Sequence, residues 1–549
     1  MNIYKNWLFL PIGLLLYQIF ILAHYGFGSN DYGYLFGMGW RILNGQEIYT
    51  DFLYARPPLS PYLTAFWIYI LPEDGQFYFA RIVNYFYGFT ISFLSFIVLR
   101  RHFSSFFTTA NQGLLLALII IFNVNFISHF WHTTDGLLMA SFALFFGLQK
   151  QTPSTKLIFA SAFFVFLSMM AKQSFYPLPF VFSFIYLMIY GKKSTFVFIV
   201  SLIFILITFV SYTYIFNENQ LLAYLNFKQY ESQLGPFFEA AVVYYVLGWV
   251  RLFPFISVII LIVHFKYLYK YFAKRRYKKV YIRFMLFFAR GYIFLYSLLL
   301  LVYTQNKLET GESIIIFHTP LLGGLLVAVI WLLIEIQQKI VKNQNAKPFL
   351  VLLFMMSLAW MSSLSWGYKT PALYSGVIIF FFIYIEWYYT RKHMDYRYLL
   401  GVFVSYFIAI SVMHLHSLDS SSFHLGKYSK KMNGLYERNE LVIEKLEYIN
   451  SRVQSCKDSN STYTVLPADP YVHYIYNDYP TLSLDWVSNV EMLNQKQRLK
   501  EEISHVQCVV VDKYYPFWND DRFGFDTIEL LGHSVLKIDL ATGKEQEKN

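Results

Sequence analysis

Apolar residues run through this chain in long blocks separated by short polar clusters. Blocks such as Trp7–Ala23, Thr195–Phe216 and Phe349–Trp366 reach the roughly 18 residues that a helix needs to cross a bilayer. Reading the blocks in order predicts about 13 spanning helices, near 7–25, 79–99, 112–129, 135–149, 157–171, 174–190, 195–216, 243–265, 284–304, 314–336, 348–366, 372–389 and 398–416. Two stretches break the pattern. Residues 26–78 carry Pro57-Pro58, Pro61 and an amphipathic segment near 34–43, and read as a structured loop with short interfacial helices. From about residue 417 the composition turns to mixed charge. There Leu435, Val442, Leu446, Ile449 and Val453 recur at helical spacing, 462–467 and 507–512 resemble short buried strands, and 486–503 resembles a helix. The expected fold is therefore a multi-pass α-helical membrane domain over 1–416, including the loop 26–78, and a small α/β domain over 417–549.

Composition strengthens this picture. The chain is 56% hydrophobic and 21% aromatic, with only 14% charged residues, whereas soluble domains carry about 25% charged residues. The net charge of +11 does not point to nucleic acid, because the cations lie in short loops between apolar blocks. One set of loops holds Arg100-Arg101, Lys150, Lys156, Lys192-Lys193, Lys266 to Arg283, Lys339 to Lys347 and Arg391 to Arg397. It outweighs the opposite set roughly three to one, which puts it in the cytoplasm by the positive-inside rule. The N-terminus is then cytoplasmic, and an odd number of spans puts the C-terminal domain outside. The only cysteines, Cys456 and Cys508, fit either a disulfide or two buried thiols.

Acidic residues concentrate at the outer edge, including Asp31, Glu47, Asp51 and Asp135. Asp31 follows the first apolar block, where a carboxylate can orient a hydroxyl nucleophile or take its proton. Arg56 precedes Pro57-Pro58, whose rigid backbone suits a guanidinium fixed toward a phosphate. Read singly, the same residues also fit a water boundary and a headgroup anchor. His129, His132 and Asp135 lie close together in sequence. They fit a divalent metal site or hydrogen bonding to a sugar or to backbone. Lys172 follows Met169-Met170-Ala171 at the outer edge between two blocks, and suits either snorkelling or neutralising a phosphate.

The ordered series Asp31, then Ile42-Leu43-Asn44-Gly45-Gln46-Glu47-Ile48-Tyr49-Thr50-Asp51-Phe52, then Arg56-Pro57-Pro58-Leu59 resembles the GT-C membrane glycosyltransferases. The bacterial branch related to protein O-mannosyltransferases and lipid A aminoarabinose transferase is the nearest in pattern. The resemblance covers the first two hundred residues and continues beyond them only as architecture. It implies a bacterial inner-membrane enzyme that moves a sugar from a polyprenyl-phosphate donor to a hydroxyl of a lipid, glycan or protein acceptor on the outer face. It also implies Asp31 and Asp135 as catalytic carboxylates, Arg56 and Lys172 as contacts to the donor phosphate, and His132, Glu47 and Asp51 as further substrate or metal contacts. Tyr32, where many members have Glu, and Arg56, where Lys is frequent, depart from the pattern. An O-antigen-type polysaccharide polymerase and a lipid or solute transporter are the alternatives. The first would carry its large loop between later spans. The second would show internal repeats or broken midplane helices.

Overall fold

A computed structural model of the chain describes residues 7, 9–27, 33–54, 56–107, 112–124, 129–226, 318–363, 374–390, 399–404, 423–437, 440–466, 469–484 and 496–512, with short pieces at 286–287, 289–291, 407–408, 537–539 and 544–546. The described chain is predominantly helical. Helices fall on the apolar blocks: α1 (Phe9–Phe20), α4 (Gln76–His102), α5 (Gln112–Val124), α6 (His132–Gly147), α7 (Thr155–Ala171), α8 (Leu178–Tyr190) and α9 (Lys192–Phe216), then α11 (His318–Val341), α12 (Lys347–Ser363) and α13 (Gly376–Thr390). Helices α2 (Tyr34–Leu43), α3 (Leu59–Ile70) and α10 (Glu218–Asn226) lie between blocks. Among the described residues, three stretches, Gln76–His102, Gln173–Tyr190 and Lys192–Phe216, are long and apolar enough to cross a membrane. Along α9 large apolar side chains point outward, among them Phe204 at 60% exposure and Ile207 at 59%, as a lipid-facing helix requires and a soluble one avoids. The spans expected at 243–265, and most of those at 284–304 and 398–416, lie outside the described residues.

End chemistry explains several helix limits. The last turn of α4 carries Arg100 and Arg101, cations that complement the negative end of the helix dipole. Helix α8 starts directly after Pro177, whose fixed φ suits a helix start and whose missing N–H costs nothing there.

The loop 26–78 is built differently from the expectation of helices lying on a membrane surface. Helix α2 is buried along most of its length, from Tyr34 to Gly39 and again at Arg41, because it is sandwiched. On one side a Cβ at Gly39 would come 2.9 Å from the backbone of Ala65 in α3, and on the other a Cβ at Gly37 would come 2.4 Å from the carbonyl of Pro470. Only glycine permits both approaches. Arg41 is fully buried yet satisfied: it donates to the Leu482 carbonyl and to Gln46 and lies 5.5 Å from the Phe52 ring.

The C-terminal segment supplies the other half of this sandwich. It contains α14 (Glu440–Asp458), β3 (Tyr463–Leu466), α15 (Tyr471–Ile475), α16 (Lys496–Ser504) and β4 (Cys508–Val511), after a two-residue pairing of β1 (Phe423–His424) with β2 (Tyr436–Glu437). Strands β3 and β4 pair in parallel, so the chain between them must cross over, and α16 lies on that crossover. Helix α14 buries Leu446, Ile449, Val453 and Cys456, and a disulfide joins Cys456 to Cys508 in β4. Beneath them Lys445 bridges two fully buried carboxylates, Asp469 and Asp512, at 2.8 Å each. Burial alone would lower the Lys445 pKa, but the two carboxylates outweigh it and hold it above its ordinary value. That anchor fixes Asp469-Pro470-Tyr471, the residues pressed against Gly33 and Gly37.

Candidate active site

The site is assembled from four segments. The first is the exit from α1. Arg81 of α4, 1% exposed, donates to the carbonyls of Ala23 (2.9 Å), Tyr25 (3.0 Å) and Gly26. Glu437 accepts from the Phe27 amide, and Tyr471 packs where a Gly33 side chain would lie. Both flanks of Asp31 are therefore held by distant parts of the chain. Asp31 itself lies outside the described residues.

The second segment carries Arg56. Its guanidinium donates to the Tyr34 hydroxyl at 3.0 Å and lies 5.2 Å from that ring, while the Tyr49 hydroxyl donates to the Arg56 carbonyl at 2.6 Å. Tyr49 adopts φ +74°, a left-handed conformation uncommon for a bulky residue and a mark of local constraint. The prolines that follow Arg56 lead directly into α3.

The third segment is the break between α7 and α8. Lys172 ends α7 in extended backbone, and Gln173–Phe175 forms one 3-10 turn before Pro177. The break turns the Lys172 amine back to the first turn of α6, where it donates to Thr133 Oγ1 at 3.0 Å. That reach is short because Gly136 lets the Phe175 ring lie against α6, and because Ser168 donates to the Gly136 carbonyl at 2.8 Å.

The fourth segment is the first turn of α6, with His132 at 0% and Asp135 at 2% exposure. Among the described residues, neither ring nitrogen of His132 finds a hydrogen-bond partner and neither does Asp135 Oδ2, while the buried Ser60 hydroxyl lies within hydrogen-bonding reach of the Asp135 carboxyl. Lys172 and Arg56 both lie close enough to act electrostatically on His132, and Tyr87, which accepts from Trp67 at 2.7 Å, faces Asp135. Buried polar atoms without partners cost free energy, so a cluster of them beside two cations marks a place where a polar ligand belongs.

Next to this cluster runs an apolar cleft of about 880 Å³ between α3, α7, α9 and α10, walled by aromatics such as Phe163, Phe166, Phe204 and Phe209. Its lining includes Tyr49, Pro58 and Met170, so it borders both the Arg56 and the Lys172 segments.

Four of the sequence candidates, Arg56, His132, Asp135 and Lys172, thus come together. Glu47 and Asp51 do not join them. Both are exposed, the Glu47 amide donates to Asp51 Oδ2 at 2.7 Å, and Thr50 donates to Glu47, so these carboxylates close a turn. Among the described residues, no group of three or more His, Cys, Asp or Glu side chains gathers to hold a metal. Sequence reasoning missed Tyr34, Ser60, Arg81, Thr133 and Gly136, because none belongs to a recognisable motif and each acts through a distant partner.

No protein-family model, curated protein or solved structure matches this chain.

Proposed function

We propose that the chain is an inverting glycosyltransferase of the membrane, using a polyprenyl-phosphate sugar donor and an acceptor hydroxyl on the extracytoplasmic face. In this reading about 13 spans carry the site, with the N-terminus in the cytoplasm and the α/β segment outside. The supporting observation is the juxtaposition of two cations, Arg56 and Lys172, around His132, with an apolar cleft whose lining reaches Pro58 and Met170, each two residues along the chain from one of those cations. A phosphate joined to a long hydrocarbon needs that pairing: charge-assisted donors for the head and a dry wall for the tail.

The reaction takes its roles from the GT-C resemblance. The acceptor oxygen attacks the anomeric carbon from the face opposite the phosphate. Its proton passes to the Asp31 carboxylate as the bond between the anomeric carbon and the phosphate oxygen breaks. The pair of electrons leaves with the polyprenyl phosphate, where Arg56 and Lys172 offset the growing charge in a partly dry site. The ring nitrogens of His132 and the Asp135 carboxyl supply hydrogen bonds to sugar hydroxyls. An O-antigen-type polymerase or a transporter has no specific observation in its favour here.

Binding of a short-chain polyprenyl monophosphate tests the reading without needing the sugar. Arg56→Gln and Lys172→Gln should each weaken it about tenfold or more, from roughly 1.5–3 kcal/mol per charged hydrogen bond. The uncharged polyprenol should bind all three proteins alike. Equal phosphate-lipid affinity in wild type and both variants would end this assignment.

A further inference from the structure

At the other end of α6 from Asp135, a second group of cations converges. Arg101, in the last turn of α4, donates to the Phe145 carbonyl at 2.7 Å and lies 4.4 Å from that ring. Lys347, at the start of α12, donates to the Lys150 carbonyl at 2.6 Å and lies 4.5 Å from the Tyr190 ring. The Tyr190 hydroxyl is fixed by the Gln149 carbonyl at 2.6 Å. His102 approaches the Leu148 carbonyl at 3.4 Å, and the charges acting on it are Lys347, Arg101 and Lys150, all positive. The anchors are all backbone carbonyls. Among the described residues, no carboxylate pairs with Arg101, Lys150 or Lys347.

Three half-buried or exposed cations held together with no counter-charge among the described residues repel one another, so the arrangement calls for an anion. Its surroundings identify which kind. Tyr190 ends α8, whose preceding turns expose Phe184, Leu187 and Met188, and Phe196 stands 68% exposed near the start of α9. Hydrocarbon-ready surface therefore leads directly away from the cations. A free phosphate would leave that surface unused, whereas a lipid fills both.

We infer that Arg101, Lys150, Lys347 and Tyr190 form a binding site for the headgroup of an anionic phospholipid, with its acyl chains along α8 and α9. This end carries the cation-rich loops read as cytoplasmic, so the lipid belongs to the leaflet opposite the proposed transfer site. Basic pockets between helices on that side are suited to anionic headgroups. The site is independent of any transferase activity.

The test uses the full-length protein purified in a mild neutral detergent and stripped of lipid. It is titrated with phosphatidylglycerol, phosphatidylcholine or inorganic phosphate, with retained lipid read by native mass spectrometry and stability by melting temperature. Phosphatidylglycerol should be retained and should raise the melting temperature, and the other two should do neither. Lys347→Gln and Arg101→Gln should each weaken phosphatidylglycerol binding about fivefold. Lys150→Gln gives the same readout without disturbing the packing, because its side chain is exposed and only its carbonyl is used. Equal retention of phosphatidylcholine, the same stabilisation by inorganic phosphate, or wild-type affinity in Lys150→Gln and Lys347→Gln would each overturn the site.

Discussion

A single methyl group at Gly136 should damage the site from within. An ideal Cβ there would lie 2.2 Å from Phe175 Cε2, whereas carbon atoms rest about 3.5–4.0 Å apart. The ring is fully buried, so either α6 or the turn carrying Phe175 must move by more than about 1 Å. Overpacking of this kind costs about 1–3 kcal/mol. The movement also has a lever. Lys172 lies in the same short turn as Phe175, and Thr133 lies one helical turn before Gly136, with 3.0 Å between the Lys172 amine and Thr133 Oγ1. Opening that gap by an ångström breaks the hydrogen bond, and a misplacement of this size can cost about 100-fold in rate. Gly136→Ala should therefore lower both the melting temperature and the affinity for a polyprenyl monophosphate. Phe175→Leu should restore part of both, with a coupling of about 1–2 kcal/mol in a double-mutant cycle. A Gly136→Ala protein that melts and binds as wild type, or a double variant equal to the sum of the singles, would refute the packing account.

Two further predictions concern the C-terminal segment. Lys445→Met leaves Asp469 and Asp512 buried without their cation, and denaturant unfolding should show a loss of about 3–5 kcal/mol. Changing both Asp469 and Asp512 to Asn in that background should recover most of the loss, and an unchanged midpoint in Lys445→Met would contradict the anchor. Lys431 is 2% exposed between the rings of Trp40 and Tyr474. Burial lowers its pKa to about 8, with Lys430 adding to the shift and Glu73 opposing it. Because the folded pKa lies below the ordinary 10.5, the folded protein binds fewer protons than the unfolded chain between those values. Stability should then rise with pH from about 8 toward 10.5. Melting temperatures across that window should climb in wild type relative to Lys431→Met, and parallel curves would refute the shift.

The chain's blocks and its strands were legible for different reasons. Helices α4, α7, α8 and α9 follow the apolar runs because hydrophobic length determines them. The segments 462–467 and 507–512 contain β3 and β4 because short branched runs bounded by polar residues have few other uses. Their parallel pairing was not legible, since it depends on a crossover that no local pattern records. Helix α2 misled by its amphipathic pattern, because what covers its second face lies more than four hundred residues later, at Pro470 and Tyr471. The same distance hid Arg81, whose role is to hold carbonyls at the end of α1. Arg56 and Lys172 were legible because charges beside apolar blocks are costly enough to stand out. Ser60, Thr133 and Gly136 were not, since a small residue shows its purpose only through its neighbour. Glu47 and Asp51 looked equally acidic and equally placed, yet they serve a turn.

The central claim is best tested by following labelled sugar from a panel of polyprenyl-phosphate donors into a membrane extract, with wild type, Asp31→Asn and Asp135→Asn compared side by side. Wild type should transfer sugar from at least one donor, Asp31→Asn should lose transfer at normal expression, and Asp135→Asn should show a large reduction. Full transfer by Asp31→Asn, or no transfer from any donor by folded wild-type protein, would contradict it.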